Sequence, residues 1–439
     1  MSHSSFLVAE SPALCGEVVV RGAKNAILPL MASSLLGNGV SRLKNVPASS
    51  DVFAMAELLE SLGAVVSFDM QLGILEIDTR QVSRTSIAPD LMQKMRASSL
   101  LIGPLLVRDG HVEIVQPGGC TIGKRPLDWH FRSFEKMGAT ILQKADSFDV
   151  RASQLKPFNS ILEYPSVGVT ENILMAAVLT PGVTRIANAA LEPEVFDLIS
   201  SLQKRGACIT VQAPMTIVVE GVESLQPLEH EVLGDRLEAG TLLLAAAATK
   251  GSIVVKNVPV NDMELFLEKL CEMGHTISRC SSTISFTAHE NPRAVSFRTM
   301  PHPGFPTDLQ APMMAALCLA EGTSTIYETV FENRFLHVTE LQKMGAKVEV
   351  QGMKAQVKGV DKLLGAEVAG TDIRATAGLI IAGLSAQGVT TVSGLSYLRR
   401  GYADLENQIR LLGGNINSGS QSCLEEIKAA RLLNQLTRA

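Results

Sequence analysis

Aromatic side chains are scarce in this chain, with one Trp and four Tyr among 439 residues. That leaves few rings for a surface that binds single strands by base stacking. Positive charge is not in excess either. Lys and Arg number 39 against 44 Asp and Glu, a net charge of −5, which argues against a nucleic-acid partner. No long block of like charge marks an interaction tail. Long hydrophobic runs are missing as well. The longest candidate, residues 242–249, is far shorter than the roughly 18 apolar residues of a membrane span. The seven cysteines form no CxxC pair and no Cys/His cluster with metal spacing, so neither a metal nor another cofactor is expected. Their odd number, with no signal-peptide pattern at the start, predicts a reducing compartment and a cytoplasmic protein. Six of them (Cys15, Cys208, Cys271, Cys280, Cys318 and Cys423) read as structural, Cys318 within the apolar run 313–320.

The length implies two or three domains, and the chain repeats itself. One unit recurs: a small-residue helix, a Gly-containing turn, a β-rich run, then a second helix ending in Gly. The ends Leu59-Glu60-Ser61-Leu62-Gly63, Phe134-Glu135-Lys136-Met137-Gly138 and Leu202-Gln203-Lys204-Arg205-Gly206 fill the first half. Leu270-Cys271-Glu272-Met273-Gly274, Leu341-Gln342-Lys343-Met344-Gly345 and Ile409-Arg410-Leu411-Leu412-Gly413 fill the second. These glycines fall about 70 residues apart, six times over. Gly after the last helical turn adopts the left-handed conformation and hands the chain to a strand, such as Val65-Val66 or Lys347-Val348-Glu349-Val350. The preceding Ala/Ser/Leu-rich helices, for example 26–36, 172–179, 240–248, 309–319 and 374–384, are apolar nearly all round and therefore buried. Six units imply two three-unit domains with a break near 228–234.

Polar residues gather at the helix starts: Lys24-Asn25, Arg96, Ser166 to Glu171, Asp235-Arg236, Thr307-Asp308 and Thr371 to Arg374. Ser166, Thr307 and Asp372 read as caps. Lys24, Arg96 and Arg374 do not, since a cation there opposes the helix dipole unless an anion is near, so an anionic ligand is expected. The stretch Pro117-Gly118-Gly119-Cys120-Thr121-Ile122-Gly123-Lys124-Arg125-Pro126 puts a thiol on a Gly-rich turn beside two cations, which favour the thiolate and can hold a phosphate or carboxylate.

With these residues the chain resembles the UDP-N-acetylglucosamine enolpyruvyl transferase (carboxyvinyltransferase) family, in the superfamily of 3-phosphoshikimate enolpyruvyl transferase. The resemblance runs from Gly22-Ala23-Lys24-Asn25-Ala26 to Arg400-Gly401-Tyr402. It is most specific at residues 117–126, Pro165-Ser166-Val167-Gly168, the stretch 301–308 and Phe331-Glu332-Asn333-Arg334-Phe335. It implies an α/β fold of two inverse α/β barrels, each of three repeated units, with the site in the cleft between them. The domains implied are 22–232, then 1–21 plus 233–417, with 418–439 as an extension. It also implies transfer of the enolpyruvyl group of phosphoenolpyruvate to the 3′-hydroxyl of UDP-N-acetylglucosamine, the first committed step of peptidoglycan synthesis. By the resemblance, Cys120 is the acid and can add to phosphoenolpyruvate, and Asp308 takes the sugar hydroxyl proton. Lys24, Arg125 and Arg400 clamp phosphoenolpyruvate. Asn25, Arg96, Ser166, Val167, Gly168, Val330 and Arg334 line the nucleotide-sugar site, together with Arg125, Pro126, Leu127, Asp128 and Trp129. Asp372 and Arg374 help close the cleft. Arg399 and Tyr164 depart from the family pattern, where an acidic residue and a Lys are commoner. The partners expected are small molecules only, with monomer as the default state. A catalytically silent nucleotide-sugar-binding paralogue is the alternative.

Overall fold

The computed structural model describes residues 5–86, 89–115, 122–123 and 127–419. The third unit shows the pattern. Helix Val167–Ala177 is followed by strand Val183–Ala187, helix Pro193–Lys204 and the hairpin strands Cys208–Gln212 and Thr216–Glu220. Thr216–Glu220 lies antiparallel between its hairpin partner and Val183–Ala187, and the short strand Asn159–Ile161 runs parallel on the far side. Among the described residues this sheet recurs six times, five times with four strands and once with three. In the three-stranded case a single bridge from Ser86 to Glu113 marks the parallel edge.

Three sheets close the rings with strands from distant parts of the chain. Glu229–Glu231, beyond the third unit, pairs with Val40–Lys44 of the first. In the second half, Cys15–Val19 takes the same place beside Ser252–Lys256. Phe6–Ala9 fills the antiparallel slot between Val389–Ser393 and Ile416–Ser418. The first twenty residues therefore finish the ring that the chain builds last.

Inside each ring lie three helices. Lys24–Ser33, Ile102–Asp109 with its 3-10 lead-in Arg96–Leu101, and Val167–Ala177 form one group; Arg236–Ala248, Gln310–Leu317 and Ile373–Ser385 form the other. Their Ala, Gly, Leu and Met residues are buried on every side, so the helices are surrounded by sheets instead of covering them. Two separate apolar cores result, one from Ala23 to Val232 and one from Phe6 to Val20 plus Leu237 to Ile416. The expected architecture of two inverse α/β barrels, three units each, is the one observed.

The six helix-ending glycines all take positive φ, between 89° and 107°. At Gly345 the N–H bonds the Gln342 carbonyl and the next N–H, of Ala346, bonds that of Leu341, which satisfies the last carbonyls of the helix. The caps are less uniform. Asp235 and Asp372 each accept two backbone N–H groups. Ser166 makes no side-chain cap, and Thr307 donates to Glu328 instead, so the capping expectation holds only for Asp372 of the three. The cysteines also differ from expectation. Cys318 is buried, with burial pushing its thiol up to about 12, but Cys15, Cys208, Cys271 and Cys280 are exposed on element edges. Cys423 lies outside the described residues. No helix among the described residues is long and apolar enough to cross a membrane.

Candidate active site

The starts of all six core helices face a cleft of about 780 Å³ between the two cores. Helix-start N–H groups turn toward it, and Lys24, Arg236, Arg334, Arg374 and Arg400 line it together with the acids Asp128, Glu171, Glu192, Glu194, Asp308 and Asp372. Its helix starts and cations are suited to phosphate or carboxylate ligands.

Lys24 opens its helix and Arg400 follows the short helix Leu395–Leu398 of the other core. Both bind one carboxylate. Lys24 Nζ is 2.9 Å from Asp51 Oδ2, and Arg400 Nε is 2.9 Å from Asp51 Oδ1. Burial alone would push the Asp51 carboxyl up, but the Lys24 charge and the Arg400 hydrogen bond outweigh it and hold it below its usual value. Asp51 escaped the sequence reading because an acid in the first turn of a helix, here Ser50–Ser61, looks like ordinary dipole compensation.

Asp308 carries two arginines. Arg334 Nη2 lies 2.8 Å from Oδ1, and Arg374 approaches Oδ2 through Nε at 3.1 Å and Nη2 at 3.0 Å. Arg374 sits 5.0 Å over the Tyr402 ring, whose hydroxyl is 2.7 Å from Thr241 Oγ1. Burial opposes the Arg374 charge, but Tyr402, Asp308 and Asp235 outweigh it and raise its hold on the proton. Glu328 accepts from Thr299, Thr307 and the backbone of Val330 and Phe331, which fixes the loop beside Asp308.

A third group was anticipated only in part, since Glu171 and Arg236 stand among the polar helix starts but Glu192 and Glu194 do not. Arg236 pairs with Glu194 at 3.0 Å across the two cores, and the His302 N–H donates to Glu192 at 3.3 Å. Burial, reinforced by Glu194 and Glu192, pushes Glu171 well above the usual carboxyl range. No local motif marks Glu192 and Glu194, which stand at the start of the helix Pro193–Lys204.

The cleft also takes in Asn25, Asp128, Trp129, Ser166, Val167, Gly168, Val330 and Asp372. Trp129 stacks on Tyr164, ring centres 6.0 Å apart, so the tyrosine that departs from the family pattern still lines the cleft. Arg399 turns from the cations to pair with Glu406. Leu127 is buried in the first core instead of lining the cleft. Arg96 starts its 3-10 turn, and nothing is described of its side chain. Cys120, Arg125 and Pro126 lie outside the described residues. Ile122, two residues beyond Cys120, lines the cleft, and its carbonyl accepts from the Asn333 N–H of the other core at 3.0 Å.

Residues 8–409 match the family model of EPSP synthase (3-phosphoshikimate 1-carboxyvinyltransferase). UDP-N-acetylglucosamine 1-carboxyvinyltransferase 1 of Caldanaerobacter subterraneus is 45% identical over 94% of this chain and 99% of its own length. UDP-N-acetylglucosamine 1-carboxyvinyltransferase 2 of Staphylococcus saprophyticus is 44% identical over 92% and 96%. The chain belongs to the UDP-N-acetylglucosamine 1-carboxyvinyltransferases, within the EPSP synthase family. Solved structures agree on the fold of these carboxyvinyltransferases. The enolpyruvyl transferase NikO from Streptomyces tendae superposes with a TM-score of 0.86 at 24% identity, covering 94% of this chain and 98% of its own. EPSP synthase from Acinetobacter baumannii gives 0.75 at 17%, covering 95% and 100%.

Proposed function

We propose that the protein transfers the enolpyruvyl group of phosphoenolpyruvate to the 3′-hydroxyl of UDP-N-acetylglucosamine and releases phosphate, opening peptidoglycan synthesis in the cytoplasm. The observation that carries this reading is the gathering of Lys24, Arg400 and the Asp308–Arg334–Arg374 group in one cleft, in a chain 45% identical to such a transferase. In the reaction the hydroxyl oxygen bonds to C2 of phosphoenolpyruvate while C3 gains a proton. The tetrahedral intermediate then loses phosphate and a C3 proton, which restores the double bond.

Cys120 supplies the proton at C3. Asp308 accepts the proton of the sugar hydroxyl. Lys24, Arg125 and Arg400 neutralise the phosphate as it leaves. Asn25, Arg96, Asp128, Trp129, Ser166, Val167, Gly168, Val330 and Arg334 hold the nucleotide sugar, with Ser166 to Gly168 presenting a helix start to its phosphates. Asp372 and Arg374 fix the closed arrangement. In this reading the domains are 22–232 and 1–21 plus 233–417, and the protein works as a monomer on small molecules.

Phosphate release should require both phosphoenolpyruvate and UDP-N-acetylglucosamine, and shikimate 3-phosphate should not replace the nucleotide sugar. Tight nucleotide-sugar binding without phosphate release would point instead to a silent paralogue.

A further inference from the structure

His337 is a buried histidine that the proposed chemistry leaves unused. It is 1% exposed and lies at the start of the helix Val338–Lys343, on the turn that carries Arg334. Neither ring nitrogen makes a full hydrogen bond among the described residues, and the Arg334 backbone draws only weakly on the ring N–H. Buried polar groups are almost always paired, and two nitrogens so poorly paired destabilise the fold relative to an apolar side chain of similar size. Burial pushes the imidazole down to about 4, with Asp372 favouring its proton and Arg334 opposing it. The ring is therefore neutral near pH 7 and offers one acceptor nitrogen.

Asp308 supplies the other half of the argument. Both oxygens of this carboxylate already accept from a guanidinium group, Oδ1 from Arg334 and Oδ2 from Arg374. Release of one arginine frees an oxygen to meet the sugar hydroxyl. Arg374 is held by its helix and by the Tyr402 ring beneath it. Arg334 sits on a turn, 5.5 Å over the Phe331 ring, and close enough for its charge to act on His337.

We propose that His337 is a positioning residue: as the nucleotide sugar fills the cleft, Arg334 turns from Asp308 and donates to the His337 imidazole. This leaves the Asp308 carboxylate able to take the hydroxyl proton. No proton passes to His337, since the N–H remains on the arginine. The idea rests on the reaction proposed above.

Steady-state kinetics and thermal unfolding of the full chain test it. His337→Leu should keep or raise the melting temperature, change KM for the nucleotide sugar little, and lower kcat about tenfold or more. His337→Asn or His337→Gln, which restores an acceptor at one or the other ring nitrogen, should recover much of kcat. An unchanged kcat in His337→Leu overturns the proposal. So does a fall in kcat that neither amide variant relieves, because a purely structural role predicts that result. If the wild-type chain releases no phosphate, the proposed reaction itself fails and this inference goes with it, so the two failures are distinguishable.

Discussion

Lys24 and Arg400 come from different cores and repel each other, and the Asp51 carboxylate, 4% exposed, is what lets them lie together. The cations are 13% and 17% exposed, so solvent screens part of the interaction. Asp51→Asn should therefore destabilise the protein by about 1–3 kcal/mol, below the range for a fully buried pair. An anion bound between the cations takes over part of the lost neutralisation. Millimolar inorganic phosphate should then raise the melting temperature of Asp51→Asn more than that of the wild type. Equal phosphate shifts in the two proteins would show that the cations do not form an anion site. At this scale the sequence was half legible. A cation at a helix start signals a missing anion, and Lys24 and Arg374 were found that way. Asp308, which answers Arg374, was also named, but Asp51, which answers Lys24 and Arg400, was not, because pairing across 349 residues, as between Arg400 and Asp51, leaves no local mark.

The repeated helix endings carry the architecture at the scale of elements. Each converts a helix into a strand through a positive-φ glycine, and this was readable because Gly is the one residue that takes that backbone without strain. The six sites are not equally tolerant. A Cβ on Gly345 would meet nothing within 4 Å, whereas one on Gly63 would stand 2.7 Å from the Gln81 carbonyl oxygen. Gly345→Ala should cost about 1 kcal/mol from the left-handed backbone alone. Gly63→Ala should cost distinctly more, because a backbone oxygen has to move as well. Equal losses in chemical denaturation would mean that the contact relaxes freely. What the repeat did not disclose was the place of Phe6–Ala9. A strand of four residues has too little pattern to reveal that its partner is Val389–Ser393.

Across the whole molecule, several carboxyl groups are buried near the junction of the two cores, and their protons link stability to pH. Burial, then the neighbouring Asp235, pushes Glu238 up from 4.5 to about 8. Burial also raises Glu171, Glu192 and Asp235. Between pH 4.5 and 8 the folded chain keeps a proton on Glu238 that the unfolded chain has released. The folded state binds more protons there, so stability falls as pH rises through this window, and above it the penalty is complete. Asp51 works in the opposite sense, since its lowered value adds stability that disappears only in acid, as pH falls below about 4. The melting temperature should thus be higher at pH 6 than at pH 8.5. Glu238→Gln, which cannot ionise, should flatten that decline, because each such group contributes a slope of at most about 1.4 kcal/mol per pH unit. If the variant and the wild type lose stability in parallel from pH 6 to 8.5, Glu238 is already ionised in the folded protein and the Arg374 and Arg21 charges outweigh its burial.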